Sequence, residues 1–433
     1  MYDLCVIGSG WGGVNAASEA VKHNLSVCLV ERGALGGTCL NYGCIPTKAL
    51  VASVDRLSAV RSAGDFGVDV GPAKIDFDKI LARKNTVVDR LRQGLEWIIK
   101  TKKIELFRGN ARLVGKNEVA VDGRVIKVKN IVIASGSRPR SLPDLKFDNE
   151  HIISSRDLLE LRDVPRSLLI IGGGVIGCEF AGIYAELGTK VTIVEVLDRI
   201  LAVGDSEVSR KMQAVFRKKG ITVLTGKGFK DLNLDDFDKV LLSVGRSANL
   251  EGLGLDAAGV AVDGKRIVVG EYLRTNVSNI YAVGDCNGGY QLAHIAAYEG
   301  RVAVENILGR NKPVDFTSVP NCIFTSPPIA SVGLDEEQAR ENGRDIRVCR
   351  FNFLGLGMAH IKGHIEGFVK LVVDSGDNRI LGAVIFGAGA TEIISTLGLA
   401  IKNRLTAAQV YDTIFPHPTL SESISEAAGS YAL

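Results

Sequence analysis

One unit of sequence occurs twice in this 433-residue chain, and that repetition limits the fold more than any other feature. Near the N-terminus, DLCVIGSGWGG reads as a strand running into a glycine turn, with Gly8, Gly10 and Gly13 in a G-x-G-x-x-G spacing. A helical stretch, AASEAVKHN, follows, and a second strand, SVCLVE, ends on Glu31. In mid-chain, SLLIIGGGVIG repeats the pattern with Gly172, Gly174 and Gly177; EFAGIYAELG comes next, and KVTIVE ends on Glu195. In both copies the acid stands 23 positions past the first glycine. A lone fingerprint is weak; two complete strand–turn–helix–strand–acid units are strong.

Each glycine has a task. The first makes a tight turn, the second lets the backbone approach a pyrophosphate, and the third lets helix pack on strand. The pattern therefore predicts an α/β chain with two Rossmann-like domains, each holding one dinucleotide. The terminal glutamate can accept from an adenosine ribose 2′-hydroxyl and repels a 2′-phosphate, so FAD and NAD fit where NADP does not. The plainer alternative is a pair of glycine turns between packed elements. Arg199, four residues past Glu195, is read as an ion-pairing or surface residue.

The length allows about two to four domains. After Gly204 the sequence gives a helix, SEVSRKMQAVFRKKG, then strands ITVLTG and KVLLSVG. A further strand and helix lie between Thr275 and Asn311, and the last third alternates strands with helices. The expected division is 1–142 continued by 273–312, then 143–272, then 313–433, with Pro313 to Pro320 as the last boundary. A net charge of +3 is small, and the densest basic run, Arg217-Lys218-Lys219, reads as a helix C-terminus, so a nucleic-acid partner is not expected. No apolar run reaches the ~18 to 20 residues of a membrane span. The chain enters a strand at once, MYDLCVIGSG, which favours a cytoplasmic location, where a disulfide is usually catalytic or redox-sensing.

Cys39 and Cys44, in GGTCLNYGCIPTKAL, are separated by four residues. In a regular helix such a pair is ~7.5 Å apart in rise alone, beyond the ~7 Å limit for a disulfide. A bond therefore needs a distorted turn, which Asn41 and Gly43 permit, with Pro46 in the first turn of a resumed helix. Isolated buried thiols and a zinc site remain as alternatives, although no second Cys/His pair lies nearby in sequence. A redox-active pair beside a flavin is the preferred reading.

These residues carry a resemblance. GGTCLNYGCIPTKAL resembles the redox-disulfide signature of the flavin-dependent pyridine nucleotide–disulfide oxidoreductases, and the similarity runs from end to end. VIASGSRP, with Gly136, is similar to the close of the family's first flavin segment; YAVGDC resembles the second, which implies that Asp285 binds the FAD ribitol. FPHPTLSE resembles the family's HPTxSE motif, with His417 and Glu422. Carried over in the same way, Thr38, Lys48 and Ala293 belong to the flavin site, Lys48 paired with Glu179. Gly245, in GRSAN, lies in the nucleotide-binding part. The resemblance is nearest to the NAD-linked members that oxidise dihydrolipoamide, with Glu195 where NADPH users carry arginines.

The resemblance implies a homodimer with shared active sites, residues 313–433 forming the interface and His417 serving the partner's disulfide. It implies FAD and NAD as cofactors, no metal, dihydrolipoamide or a lipoyl domain as substrate, and a 2-oxo acid dehydrogenase complex as a possible assembly. Cys39 is the interchange thiol and Cys44 faces the flavin. His417 also stands on its own chemistry, since a thiol needs a base titrating near neutrality, and Glu422 can orient it. Reduction of another small disulfide by NADH, and a non-catalytic flavoprotein subunit, are the rival readings. The sequence departs from the pattern in a shortened passage at 226–238, in Ala248 and Gln291, and in a tail, EAAGSYAL, without the cysteine pair of mercuric reductases.

Overall fold

The computed structural model describes residues 1–432, which divide into two compact units: 1–163 with 244–314, and 164–243 with 315–432. In the first unit the strand Tyr2–Ile7 lies between Val27–Glu31 and Arg124–Ile133, parallel to both. Glu105–Arg108 extends the sheet on one side and Ile280–Ala282 joins Arg124–Ile133 in parallel. Leu4, Cys5 and Val6 are fully buried, as expected of a strand covered on both faces and therefore apolar without alternation. The predicted first helix is Trp11–Lys22.

That helix and Ala293–Ile307 cross at very short range. A Cβ on Gly300 would lie 2.3 Å from the Gly12 carbonyl oxygen, so only hydrogen fits between the backbones. Gly300→Ala is expected to cost ~1–3 kcal/mol through overpacking. Gly94, exposed in the helix Phe77–Thr101, has nothing within 4 Å of its Cβ position, and Gly94→Ala is expected to add ~0.5–1 kcal/mol. Urea unfolding of the two variants checks the opposite signs.

The second unit repeats the parallel arrangement, with Thr222–Thr225, Lys190–Glu195, Ser167–Ile171 and Lys239–Leu242 in that order. The expected helices are Val175–Glu186 and Ser206–Lys218, the latter capped by Asp205 and ending in Arg217 and Lys218. The shortened passage holds two 3-10 turns, Phe229–Asp231 and Leu234–Asp236. Residues 320–386 form an antiparallel sheet in the order Pro320–Ile323, Ile329–Gly333, Ile380–Phe386, Phe368–Asp374, Ile346–Asn352. Helices Ala390–Lys402 and Glu422–Gly429 pack on it around Leu371, Ile385, Leu397 and Ile424, all fully buried. Lys370, in the same sheet, points its ammonium at Asp205 at 2.6 Å, a buried pair.

Candidate active site

The two fingerprints have the same geometry. Gly8 takes φ +100° and Gly172 φ +107°, left-handed backbone that glycine adopts without strain. A Cβ on Gly13 would stand 1.8 Å from the Gly8 carbonyl oxygen, and one on Gly177 would stand 2.1 Å from that of Gly172. Gly10 and Gly174 face open space and cap their helices without a side-chain hydrogen bond, which leaves backbone N–H groups for an anion. Glu31 Oε2 accepts from Ser9 N at 2.8 Å and Oε1 from Gly33 N at 2.7 Å. Glu195 does the same with Gly173 N at 2.7 Å and Leu197 N at 2.9 Å. Each acid is thus tied to its glycine turn.

The first turn also abuts the cysteine segment. Gly36 N donates to the Ser9 carbonyl at 3.1 Å, and a Cβ on Gly37 would lie 2.7 Å from Gly10 Cα. A short helix, Gly37–Tyr42, carries the exposed Thr38 and half-buried Cys39; Gly43 breaks it, and Cys44–Arg61 begins anew. Asn41 secures the bend, its Nδ2 donating to the carbonyls of Leu35 at 2.8 Å and Gly37 at 2.9 Å. The break brings the two unlinked thiols into hydrogen-bonding reach. The hydrogen bond from Cys44 and burial push the Cys39 thiol far up; the Trp11 side chain and the charge of Lys48 pull the other way. Cys44 is exposed. Two thiols so placed can exchange an electron pair for a disulfide.

Asp285 sits in the turn Gly284–Asn287. Ser137 Oγ donates to its Oδ2, and Arg246 holds Ser137 through Nε at 2.7 Å and through Nη2 to the Ser137 carbonyl at 2.8 Å. The strands Ser137–Pro139 and Arg246–Ala248 pair antiparallel beside it. Gly136, at φ +69°, accepts from Asn249 N at 2.9 Å, Gly245 accepts from Arg140 N at 3.1 Å, and Ala293 opens its helix.

Near the C-terminus His417 Nδ1 lies 2.7 Å from Glu422 Oε1, while Glu422 Oε2 accepts from Thr419 N at 2.7 Å. Those two contacts, the backbone one first, hold the Glu422 carboxyl below its ordinary range. The imidazole is exposed and its Nδ1 is engaged, so Nε2 is the ring atom left for proton exchange. Glu179, buried in Val175–Glu186, accepts from Phe324 N at 2.9 Å through Oε1.

Residues 2–300 match the pyridine nucleotide-disulphide oxidoreductase family, and residues 319–428 match that family's dimerisation domain. The chain belongs to the pyridine nucleotide-disulphide oxidoreductases. Membership makes it an enzyme that works with FAD and a nicotinamide dinucleotide through a disulfide redox centre, and the second match supports a homodimer. The chain is 40% identical to a dihydrolipoyl dehydrogenase of Bacillus subtilis over 460 residues, covering 99% of this chain and 97% of that one. It is 40% identical to the enzyme of the same name from Chlamydia muridarum over 99% of this chain and 96% of that one. Among solved structures it is similar to the HOCl-induced flavoprotein disulfide reductase of Escherichia coli, with TM-score 0.89, 29% identity, and 99% and 100% of the two chains covered. It is also similar to LpdA of Mycobacterium tuberculosis, with TM-score 0.91, 27% identity, and 98% and 99% covered.

The residues of this oxidoreductase fit its dinucleotides: both cradles have an open second glycine, uncapped helix amides and an acid held at the turn. Arg199 is an ion-pairing residue, 3.3 Å from Glu337. Sequence reasoning passed over Trp11, a fingerprint position between two glycines, yet its side chain acts on the Cys39 thiol and opposes the rise that Cys44 and burial cause. A large exposed aromatic in a glycine turn is the signal that could have found it. Among the described residues the group with metal-ligand spacing is Glu19, His23 and Glu305. Lys22 and Arg310 already engage its carboxylates at 2.7 and 2.5 Å, which marks it as an ion-pair cluster.

Proposed function

We propose that this enzyme oxidises dihydrolipoamide to lipoamide and reduces NAD to NADH, the dihydrolipoyl dehydrogenase step of a 2-oxo acid dehydrogenase complex, in the cytoplasm. The observation that carries the reading is the Cys39–Cys44 pair, bent at Gly43 and set against the first fingerprint turn. The full-length similarity to dihydrolipoyl dehydrogenases supports the substrate.

In this reading residues 1–142 with 273–312 bind FAD, 143–272 bind NAD and 313–433 form the dimer interface. Gly8, Gly10, Gly13, Glu31, Thr38, Lys48, Gly136, Asp285 and Ala293 hold FAD, with Glu179 partnering Lys48. Gly172, Gly174, Gly177, Glu195 and Gly245 hold NAD. His417 of one subunit serves the cysteines of the other: it takes a proton from a substrate thiol, and the thiolate attacks Cys39 of the oxidised pair. The Cys39–Cys44 bond breaks and Cys44 leaves as a thiolate. The second substrate thiol, deprotonated in turn, attacks the mixed disulfide, so lipoamide departs and both electrons remain on the cysteines. FAD held by those residues would supply a two-electron acceptor for the reduced cysteines, next to Cys44, and a hydride donor for NAD.

The deciding experiment is NADH formation by the purified yellow protein from dihydrolipoamide, with NADP in parallel. Rapid reduction of NAD is expected, with NADP slower by roughly 100-fold because Glu195 repels a 2′-phosphate. The likeness to the Escherichia coli flavoprotein disulfide reductase favours one second reading, reduction of another small disulfide by NADH. Failure with dihydrolipoamide, together with NADH-dependent reduction of such a disulfide, would select it.

A further inference from the structure

Helix Ala293–Ile307 carries a carboxyl group that the proposed relay does not use. Glu299 is 2% exposed, and its Oε2 accepts from Gly284 N at 2.6 Å and from Asn287 Nδ2 at 3.0 Å. These donors bound the turn that presents Asp285, and Asn287 Oδ1 accepts from Gly289 N at 3.0 Å, which extends the support past the turn. Among the described residues, the groups facing Glu299 bring no positive charge. The helix Trp11–Lys22, packed against Ala293–Ile307 where Gly12 meets Ala296 and Gly300, buries only Gly12, Gly13, Ala16, Ala17 and Ala20. The turn itself brings Asp285 and Cys286, and Arg246 lies beyond Asp285, its Nε 3.9 Å from the Asp285 carboxylate. Burial pushes the Glu299 carboxyl up to about 7; the two donors pull it down, and the Asp285 charge adds to the rise.

We propose that Glu299 is a positioning residue for the flavin, and that the Asp285 turn seats on its neutral carboxyl and is opposed by its charge. The inference rests on the reading of Asp285 as a flavin ligand. The sign follows from linkage. With the turn loosened, Glu299 is solvated and titrates as an ordinary carboxyl near 4.3, whereas seated it titrates near 7. Seating therefore takes up a proton. FAD is held best below the ordinary range, its retention declines as the pH rises towards 7, and it levels off above.

The test is the FAD dissociation constant of the holoprotein, measured by ultrafiltration and flavin fluorescence from pH 5.5 to 8. Wild type is expected to weaken by roughly tenfold across that range, while Glu299→Gln, neutral at every pH with one oxygen left for both donors, changes by less than about twofold from this cause. Glu299→Ala is expected to bind FAD more weakly at all pH values, because Gly284 N–H and Asn287 lose their acceptor. A wild-type to Gln ratio that stays constant with pH overturns the proposal. So does wild-type retention that is flat or tightens as the pH rises, which needs no variant. Asp285→Asn separates the two levels: if it leaves FAD affinity unchanged, the reading of Asp285 falls and this inference with it; if it weakens FAD while the ratio stays flat, Glu299 alone is wrong.

Discussion

Serine in place of Cys44 is expected to leave a folded, FAD-containing protein whose oxidation of dihydrolipoamide falls by at least roughly 10³-fold. Fold and flavin survive because Cys44 is exposed at the first position of its helix and oxygen for sulfur removes almost no volume. The chemistry does not survive. The substrate thiolate needs an S–S bond to break, and a serine hydroxyl forms none, so the electron pair has nowhere to go after it meets Cys39. Flavin absorbance and thermal unfolding check that the protein is intact, and initial-rate NADH formation measures the loss. Activity within tenfold of wild type would remove Cys44 from the relay. The same variant also separates the paired reading from that of isolated thiols, under which turnover is indifferent to it.

What the sequence could and could not tell follows from the range over which each feature is set. The fingerprints were legible because turn, open glycine and terminal acid obey one local spacing, and in both copies the acid binds backbone N–H groups of its own βαβ unit. His417 and Glu422 came instead from the resemblance of FPHPTLSE to a family motif, and their contact spans only five positions of chain. At the cysteines Gly43 announced a break, but Asn41 was read only as permissive, because nothing in its identity says that it clamps the Leu35 and Gly37 carbonyls. The helix Phe77–Thr101 went unread although Phe77, Ile80, Leu81, Val88, Leu95 and Ile99 recur at helical spacing; what its sequence hides is a lysine, Lys84, buried within that stripe. Lys84 is held by the Leu159 carbonyl at 2.6 Å, far along the chain. The supports of Asp285 were equally hidden, since Ser137 and Arg246 meet it through strand pairing across more than a hundred residues. Glu299 sits in a run, AHIAAYEGRVAVENILG, where it passes for an ordinary helix charge; the turn Gly284–Asn287, distant in sequence, is what closes on its carboxyl.

His417→Gln is expected to slow dihydrolipoamide oxidation by roughly 10²- to 10⁴-fold, the usual worth of a positioned general base. Reduction of a one-electron dye by NADH should remain, because that route takes electrons from the flavin without deprotonating a thiol. Glu422 acts through the ring. Ionised, it is a pure acceptor at Nδ1, which fixes the proton there and leaves Nε2 basic. Because its carboxyl titrates below the ordinary range, the orienting contact is complete above about pH 4.3 and is lost only as the pH falls through the lowered value. Glu422 therefore contributes nothing to any change in rate between pH 6 and 9. Glu422→Gln should cost less than His417→Gln, roughly 10- to 100-fold, since the ring loses its tautomer and aim but keeps its nitrogen. The double variant decides whether the two form one unit. If Glu422 works only by way of His417, adding Glu422→Gln to His417→Gln should slow the reaction no further, whereas multiplied losses would mean that the carboxylate has a task of its own.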